Sequence, residues 1–392
     1  MRITGRAVWR SLSLRGAGAR AKAVFRGVLR AGAVFAALSA AAVTVAATPD
    51  LWPRLLYFSA AMTCPRDALA VIEDRWTEPD PTPQDSGEAL PDTSCAPESS
   101  AAPAPDRDDP PDETAETTAE PVPEVPEDRR GVVLTEQYSY TAGGLYVPFG
   151  AALIRNGTEI PNETVERELS APLDLGSGGG SGGPQVLIYH THATEKYEPA
   201  DRGYFDLDYV WRTADTRFNM AAVGEAVAQA LSARGVSVLH DVTLHDSPSY
   251  TGSYARSAET IKSYLERYPT IKVLLDLHRD AIEPEEGVIV KPTAVIDGRN
   301  AAQIMVLCGC DDGTMDMPDY FSNLRFAAAL TSRLESLHPG LTRPVMFSYH
   351  RYNMDLSPGL LLIEIGASGN TLPEAEYSGE LLAGALADIL AG

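Results

Sequence analysis

From Pro184 to the C-terminus, short apolar runs alternate with amphipathic segments of helical period, and that alternation restricts the chain to helices layered on a sheet. PQVLIYH reads as a buried strand, RFNMAAVGEAVAQALSARG as a helix ended by Gly235, and VSVLHD as a second strand. SAETIKSYLERYP is a helix and IKVLLDLH a third strand, while GVIVKPTAVID and AAQIMVLCG supply at least two more. FSNLRFAAALTSRLESLHPG is a further glycine-ended helix, RPVMFSYH and GLLLIEIG are strands, and LPEAEYSGELLAGALADIL is the closing helix. The expected fold over 184–392 is therefore α/β, with a central, mostly parallel or mixed sheet flanked by helices.

What precedes that region is of a different kind. Residues 131–160 alternate apolar and polar positions between turn signals, which predicts short strands. PNETVERELSAPLDL predicts a short helix with Asn162 or Thr164 near its start, and GSGGGSGG at 176–183 reads as a flexible joint. Together, 131–183 form a short strand and helix region with a Gly/Ser joint. Residues 48–130 form an acidic, proline-rich linker. From Trp76 to about Arg130 almost no large apolar side chain is available, so burial cannot offset chain entropy there. Proline and repelling charge keep such a segment extended, and it reads as a spacer.

The net charge of −22 hides a polarity along the chain. Residues 1–30 hold Arg2, Arg6, Arg10, Arg15, Arg20, Lys22, Arg26 and Arg30 and no acid, and an uncharged run, AGAVFAALSAAAVTVAA, follows at 31–47. The run is slightly shorter than the roughly 20 residues that span a bilayer comfortably. Its flanking cations fit a transmembrane signal anchor with a basic cytoplasmic segment; Val45-Ala46-Ala47 also fits a cleavable export signal. Either reading puts the remainder outside the cytoplasm. A strongly acidic chain with no basic stripe past its N-terminus excludes nucleic acid as the expected partner. Cys64 and Cys95 lie within that linker, flank a stretch of disordered composition, and are able to pair in an oxidising space. Neither they nor Cys308-Gly-Cys310 have the spacing of a structural zinc site.

Three polar clusters coincide with the carboxyl ends of predicted core strands, where α/β folds bind ligands. His190-Thr191-His192-Ala193-Thr194-Glu195 follows PQVLIY; His278-Arg279-Asp280 follows IKVLLDL; Glu364 interrupts the apolar LLLIEIG. His192 and Glu195 form an H-x-x-E pair on a turn leaving the first strand. Two histidines and a carboxylate make a catalytic zinc set with its fourth position open to water. Zinc lowers the pKa of that water, and Glu364 is then the expected general base. A carboxylate buried in LLLIEIG is costly unless paired, coordinated or functional. His190 is the rival to His192 as ligand, with substrate orientation as its other role; the spacing favours His192.

IYHTHATEKY, the stretch from RFNMAAVGEAVAQALSARG to SYLERYP, LLDLHRDAI, and YNMDLSPGLLLIEIGASGNTLPEAEYSGELLAGALADIL together resemble the stage II sporulation protein P family, through nearly all of 184–392. The resemblance implies a membrane anchor, a variable spacer and a C-terminal zinc-dependent N-acetylmuramoyl-L-alanine amidase domain with an added endopeptidase activity. The cell membrane, single-pass, with the catalytic domain in the septal or intermembrane space, is the implied location. Peptidoglycan is the implied substrate, thinned at the septum and during engulfment in sporulation, with stage II sporulation proteins D and M as partners. The family is similar in turn to broader zinc amidases and, in layer fold, to zinc carboxypeptidases. Their order of His, Glu, His and a late glutamate falls on His192, Glu195, His278 and Glu364. Arg279 and Asp280 then stand as residues behind the metal or against substrate. Asp246, Ser249, Tyr250, Ser253, Tyr254 and Arg256 in HDSPSYTGSYARS stand as residues lining the cleft or capping the next helix, with no catalytic role. A zinc endopeptidase or carboxypeptidase acting on stem peptides, and a non-catalytic peptidoglycan-binding scaffold, are the alternative readings.

Overall fold

The structure, a computed structural model, describes Glu120 and residues 122–175 and 182–391. The basic segment, the anchor run at 31–47, Cys64, Cys95, most of the acidic linker and most of the Gly/Ser joint lie outside the described residues. Among the described residues no helix is long and apolar enough to cross a membrane.

The elements follow in order as β1 (Arg130–Glu136), β2 (Tyr146–Phe149), β3 (Ala152–Asn156), α1 (Asn162–Leu169), β4 (Val186–Tyr189) and β5 (Tyr204–Asp206). Then come α2 (Met220–Ser232), β6 (Val238–His240), α3 (Ser253–Arg267), β7 (Val273–Asp280), β8 (Val288–Ile296) and β9 (Arg299–Ala302). The last are β10 (Ile304–Gly309), α4 (Tyr320–Leu337), β11 (Val345–Ser348), β12 (Leu360–Ala367) and α5 (Leu372–Ala391). Among the described residues these strands make an eight-stranded sheet ordered β2-β3-β11-β10-β12-β7-β4-β6 and a four-stranded sheet ordered β5-β1-β8-β9. In the larger sheet β2–β3 and β10–β12 are antiparallel and the other neighbours parallel. The fold is a mixed α/β layer structure.

Local chemistry explains the helices that cover it. The Asn219 side chain accepts from the Ala221 N–H and so caps α2. Met220, Val223, Gly224, Val227 and Leu231 then recur at helical spacing and are buried, and α2 packs on α5 and β6. Val186 and Ile188 of β4, Val273, Leu275 and Leu277 of β7, and Leu361, Ile363 and Ile365 of β12 share one core with α2, α4 and α5. Strand side chains alternate between faces. The intervening residues of β7 and β12, among them Asp276, His278 and Glu364, therefore lie on the opposite face of the sheet.

Two expectations change. The acidic linker does not stay clear of the domain up to residue 130. Val125 is buried, Arg202 Nη1 donates to the Pro123 carbonyl, and Lys196 Nζ meets Glu120 Oε1 at 2.8 Å. One apolar side chain and two cations on the domain are enough to dock its final residues. AAQIMVLCG, read as a single strand, breaks at Gln303: β9 pairs with β8 in the small sheet and β10 with β11 and β12 in the large one. Cys308 and Cys310 are free and buried in the core, and burial pushes the Cys310 thiol up to about 12.

Candidate active site

Parity along β7 directs Asp276, His278 and Asp280 to the face that Glu364 shares. In the parallel ladder of β7 and β12, Glu364 is the register partner of His278. The ladder shifts register between Glu364 and Ala367, with Gly366 at φ +68° inside the irregularity; a Cβ there would lie 2.5 Å from Asn370 Oδ1 and 2.7 Å from the Ala302 Cβ. His278 was expected at the very end of its strand; it lies within β7, because pairing with β12 carries that strand on to Asp280.

The first cluster reaches the same place by a turn. β4 ends at Tyr189, and the chain turns through Thr191–Thr194. A single buried carboxylate fixes that turn: Asp276 accepts from the Thr191 N–H at 2.8 Å and the Thr191 Oγ1 at 2.6 Å. His278 Nε2 lies 2.9 Å from Asp276 Oδ1, as an ion pair without the alignment of a hydrogen bond. Farther along, the Thr194 N–H and Oγ1 donate to Asp246, and Arg212 bridges Asp246 Oδ2 at 2.7 Å and Glu195 Oε1 at 3.4 Å. The turn thus delivers His192 beside His278, ring centroids 5.1 Å apart. His192, Glu195, His278 and Glu364 are brought together.

His190 goes elsewhere. It continues the β4 alternation toward α2, where a Cβ on Gly224 would collide with the His190 and His240 rings. Its Nδ1 lies 3.0 Å from the Leu277 carbonyl, which only accepts, so Nδ1 carries the proton. Nε2 is then the acceptor facing His240 Nε2, also at 3.0 Å. Both ring nitrogens are engaged. Burial, aided by His240, pushes the His190 pKa down to about 3. The fold keeps His190 neutral while the unfolded chain takes up a proton below about 6.5, so its stabilisation is complete above that pH and lost as pH falls toward 3. Comparing His190→Asn with the parent by urea unfolding between pH 7 and 4 should show the parent losing about 1.4 kcal/mol per pH unit more than the variant. Parallel curves would show that His190 is not the acid-sensitive group.

Charge and unspent hydrogen-bonding capacity mark the other four. Neither ring nitrogen of His192 has a hydrogen-bond partner, nor do the buried His278 Nε2, Glu195 Oε2 and Glu364 Oε2. Burial and the nearby His278, Arg212 and Arg279 hold His192 well below its ordinary pKa. Burial also disfavours the charged form of His278, but Asp276, Glu364 and Glu195 outweigh it and raise the group to about 10. Glu364 is pushed up to about 8, first by burial and then by Asp280, against the pull of His278. Among the described residues no three His, Cys, Asp or Glu side chains close into a ready-made metal cage. Two imidazoles and a carboxylate with partnerless buried donor atoms nevertheless fit a metal in ligand type.

Arg279 and Asp280 support the site from outside it. Arg279 donates to the carbonyls of Lys196 at 2.7 Å, Asp280 at 3.2 Å and Trp211 at 3.3 Å, tying the end of β7 to the H-x-x-E turn. Asp280 accepts from Arg343 Nη2 and from the Ala281 N–H, both at 2.8 Å. Asp276, Arg212 and Arg343 escaped the sequence reading. Asp276 had a signal, since it stands two residues before His278 in a strand; Arg212 and Arg343 come from loops and had none.

Residues 111–387 match the family described as Stage II sporulation protein P (SpoIIP). Stage II sporulation protein P of Bacillus subtilis (strain 168) is 28% identical over 215 residues, covering 52% of this chain and 49% of that protein. The chain spans about half the length of that curated relative. Among solved structures, N-acetylmuramoyl-L-alanine amidase AmiC2 of Nostoc punctiforme matches 54% of this chain and 100% of its own, at 14% identity and a TM-score of 0.32. An N-acetylmuramoyl-L-alanine amidase from Clostridium difficile 630 matches 54% of this chain and 99% of its own, at 14% identity and a TM-score of 0.31. The family match takes in well over half of the sequence, with His192, Glu195, His278 and Glu364 all inside it, and the chain belongs to the Stage II sporulation protein P family.

Proposed function

We propose that this protein is a membrane-tethered zinc hydrolase that cuts the amide between N-acetylmuramic acid and L-alanine in peptidoglycan, in septal thinning and engulfment during sporulation. The observation that carries the reading is that His278 and Glu364 share one sheet face, the turn after β4 brings His192 against His278 and Glu195 into the field of both, and all four have partnerless buried nitrogens or oxygens. The substrate class rests on the family resemblance, as do stage II sporulation proteins D and M as partners. His192, Glu195 and His278 would hold the metal, and zinc bound there supplies a Lewis acid that polarises the scissile carbonyl and acidifies a water. His190 is a poor rival for that role, since both its nitrogens are spent on Leu277 and His240.

The chain's own residues do the rest. Glu364 takes the proton of the attacking water and hands it to the leaving nitrogen, and burial lifts its carboxyl above the ordinary range, toward that of a group that exchanges protons near neutral pH. Asp276 holds the H-x-x-E turn and His278 in one frame, and Arg279 closes the back of that turn through three carbonyls. These contacts keep the reacting groups from drifting, which is where positioning contributes to rate.

The test is mass spectrometry of peptides released from intact peptidoglycan by the full-length chain. Stem peptides with a free L-alanine amine are expected with zinc and should disappear with chelator. Fragments cut inside the stem or cross-bridge would move the assignment to an endopeptidase. Binding to peptidoglycan without any cleavage, metal or no metal, would leave a scaffold.

A further inference from the structure

The two site histidines are held in unlike ways. His278 has the Asp276 carboxylate beside it, whereas His192 makes no hydrogen bond through either nitrogen. A ligating imidazole normally donates its second N–H to a carboxylate, carbonyl or water, which fixes the ring's orientation. His192 has aromatic neighbours instead. Tyr250 lies flat on the ring, with centroids 4.2 Å apart and planes 12° from parallel. Tyr254 and His278 meet it nearly perpendicularly, at 5.6 and 5.1 Å. The torsion that turns an imidazole is broad, so packing must select its plane where hydrogen bonds do not.

Tyr250 is itself held. The Arg212 guanidinium lies over its ring, 4.6 Å from the centroid, and the same guanidinium reaches Glu195 Oε1 at 3.4 Å and the buried Asp246 carboxylate at 2.7 Å. One line of contacts therefore runs from His192 through Tyr250 and Arg212 to Glu195, joining both members of the H-x-x-E pair.

We propose that Tyr250 is a positioning residue whose ring face holds His192 in its metal-binding attitude, replacing the hydrogen bond such histidines usually have, with Arg212 tying that attitude to Glu195. This rests on the reading of His192 and Glu195 as metal ligands. The ring face is the working part, so phenylalanine serves as well as tyrosine and leucine of similar bulk does not. In the metal-free protein the His192 ring protons carry an upfield ring-current shift from Tyr250.

Two measurements on the full-length chain test it: zinc affinity by competition with a chromophoric chelator, and NMR of the chain with labelled histidines and no metal. Tyr250→Leu is expected to weaken zinc binding by about tenfold or more and to abolish the ring-current shift. Tyr250→Phe should retain both affinity and shift. Equal zinc affinity in parent and Tyr250→Leu overturns the proposal, and so does a Tyr250→Phe defect as large as that of leucine. A parent that binds no zinc defeats the metal reading, not the stacking, which the NMR still decides. If Tyr250→Leu does not fold, the parent's spectrum alone is decisive: a His192 ring without the shift overturns the proposal.

Discussion

Glu364→Gln should lower peptidoglycan cleavage by about 10²–10⁴-fold while making the metal-free protein more stable at neutral pH. Both effects come from one placement. β12 is otherwise apolar, and Glu364 sits in it with Oε2 buried and partnerless, beside His278 in register and within the field of Asp280. Burial, then Asp280, raises its pKa from 4.5 to about 8. The fold retains a proton that the unfolded chain gives up above about 4.5. Stability is therefore full below that pH and declines as pH rises toward 8, by about 1.4 kcal/mol per unit. Glutamine has the same shape and no such titration, so at pH 7 the variant gains up to about 3 kcal/mol, a functional group having been exchanged for a fitting one. Stem-peptide release and urea unfolding at pH 5 and pH 7, with chelator present in the unfolding series, read the two arms separately. A variant that still cuts removes Glu364 from the proton path. A variant with the parent's pH slope means that the cost of burial lies in another group.

The sequence was most readable where one residue type answers one physical demand. Apolar runs such as VLIY and VLLDL have to be core strands in an α/β layer, and the structure has them there as β4 and β7. A charge inside LLLIEIG was conspicuous for the same reason. β5 was not seen, because three residues of mixed polarity become a strand only by pairing with β1, and no local pattern announces that partner. AAQIMVLCG looked continuous because its break depends on distant groups: Gln303 Nε2 donates to the carbonyls of Tyr138 and Gly340, and its backbone N–H to Pro292. At the site, a spacing of two residues between His190 and His192 says little, since the chain stops being a strand between them. Asp276 was legible by parity. Arg212 and Arg343 were not, because they meet Glu195 and Asp280 from 17 and 63 residues away.

Asp276→Ala should cost the metal-free protein about 3–5 kcal/mol at pH 6, more than a surface carboxylate would, and the loss should shrink as pH rises. The side chain is fully buried and serves three groups: it accepts from the Thr191 N–H and the Thr191 hydroxyl, and it is the counter-charge to the His278 ring. Alanine leaves the Thr191 groups without their acceptor and a buried imidazolium without its nearest counter-charge. Burial works against the charge on His278, and Asp276, ahead of Glu364 and Glu195, reverses that and raises the group to about 10. A histidine raised in this way contributes stability that is complete below about 6.5 and is lost as pH climbs to 10. The gap between parent and Asp276→Ala should therefore be widest near pH 6 and narrow toward pH 10, leaving the hydrogen-bond part of the loss. Asp276→Asn, which can still accept from the Thr191 N–H, should lose the pH-dependent part and less of the rest. A gap of constant size across that range would mean that Asp276 acts through Thr191 alone. The same proton links stability to metal binding, because a ligating imidazole must be neutral. Calorimetric titration of zinc into the parent, in buffers of different ionisation enthalpy at pH 7, should then report a proton released, and the proton should be missing in Asp276→Asn.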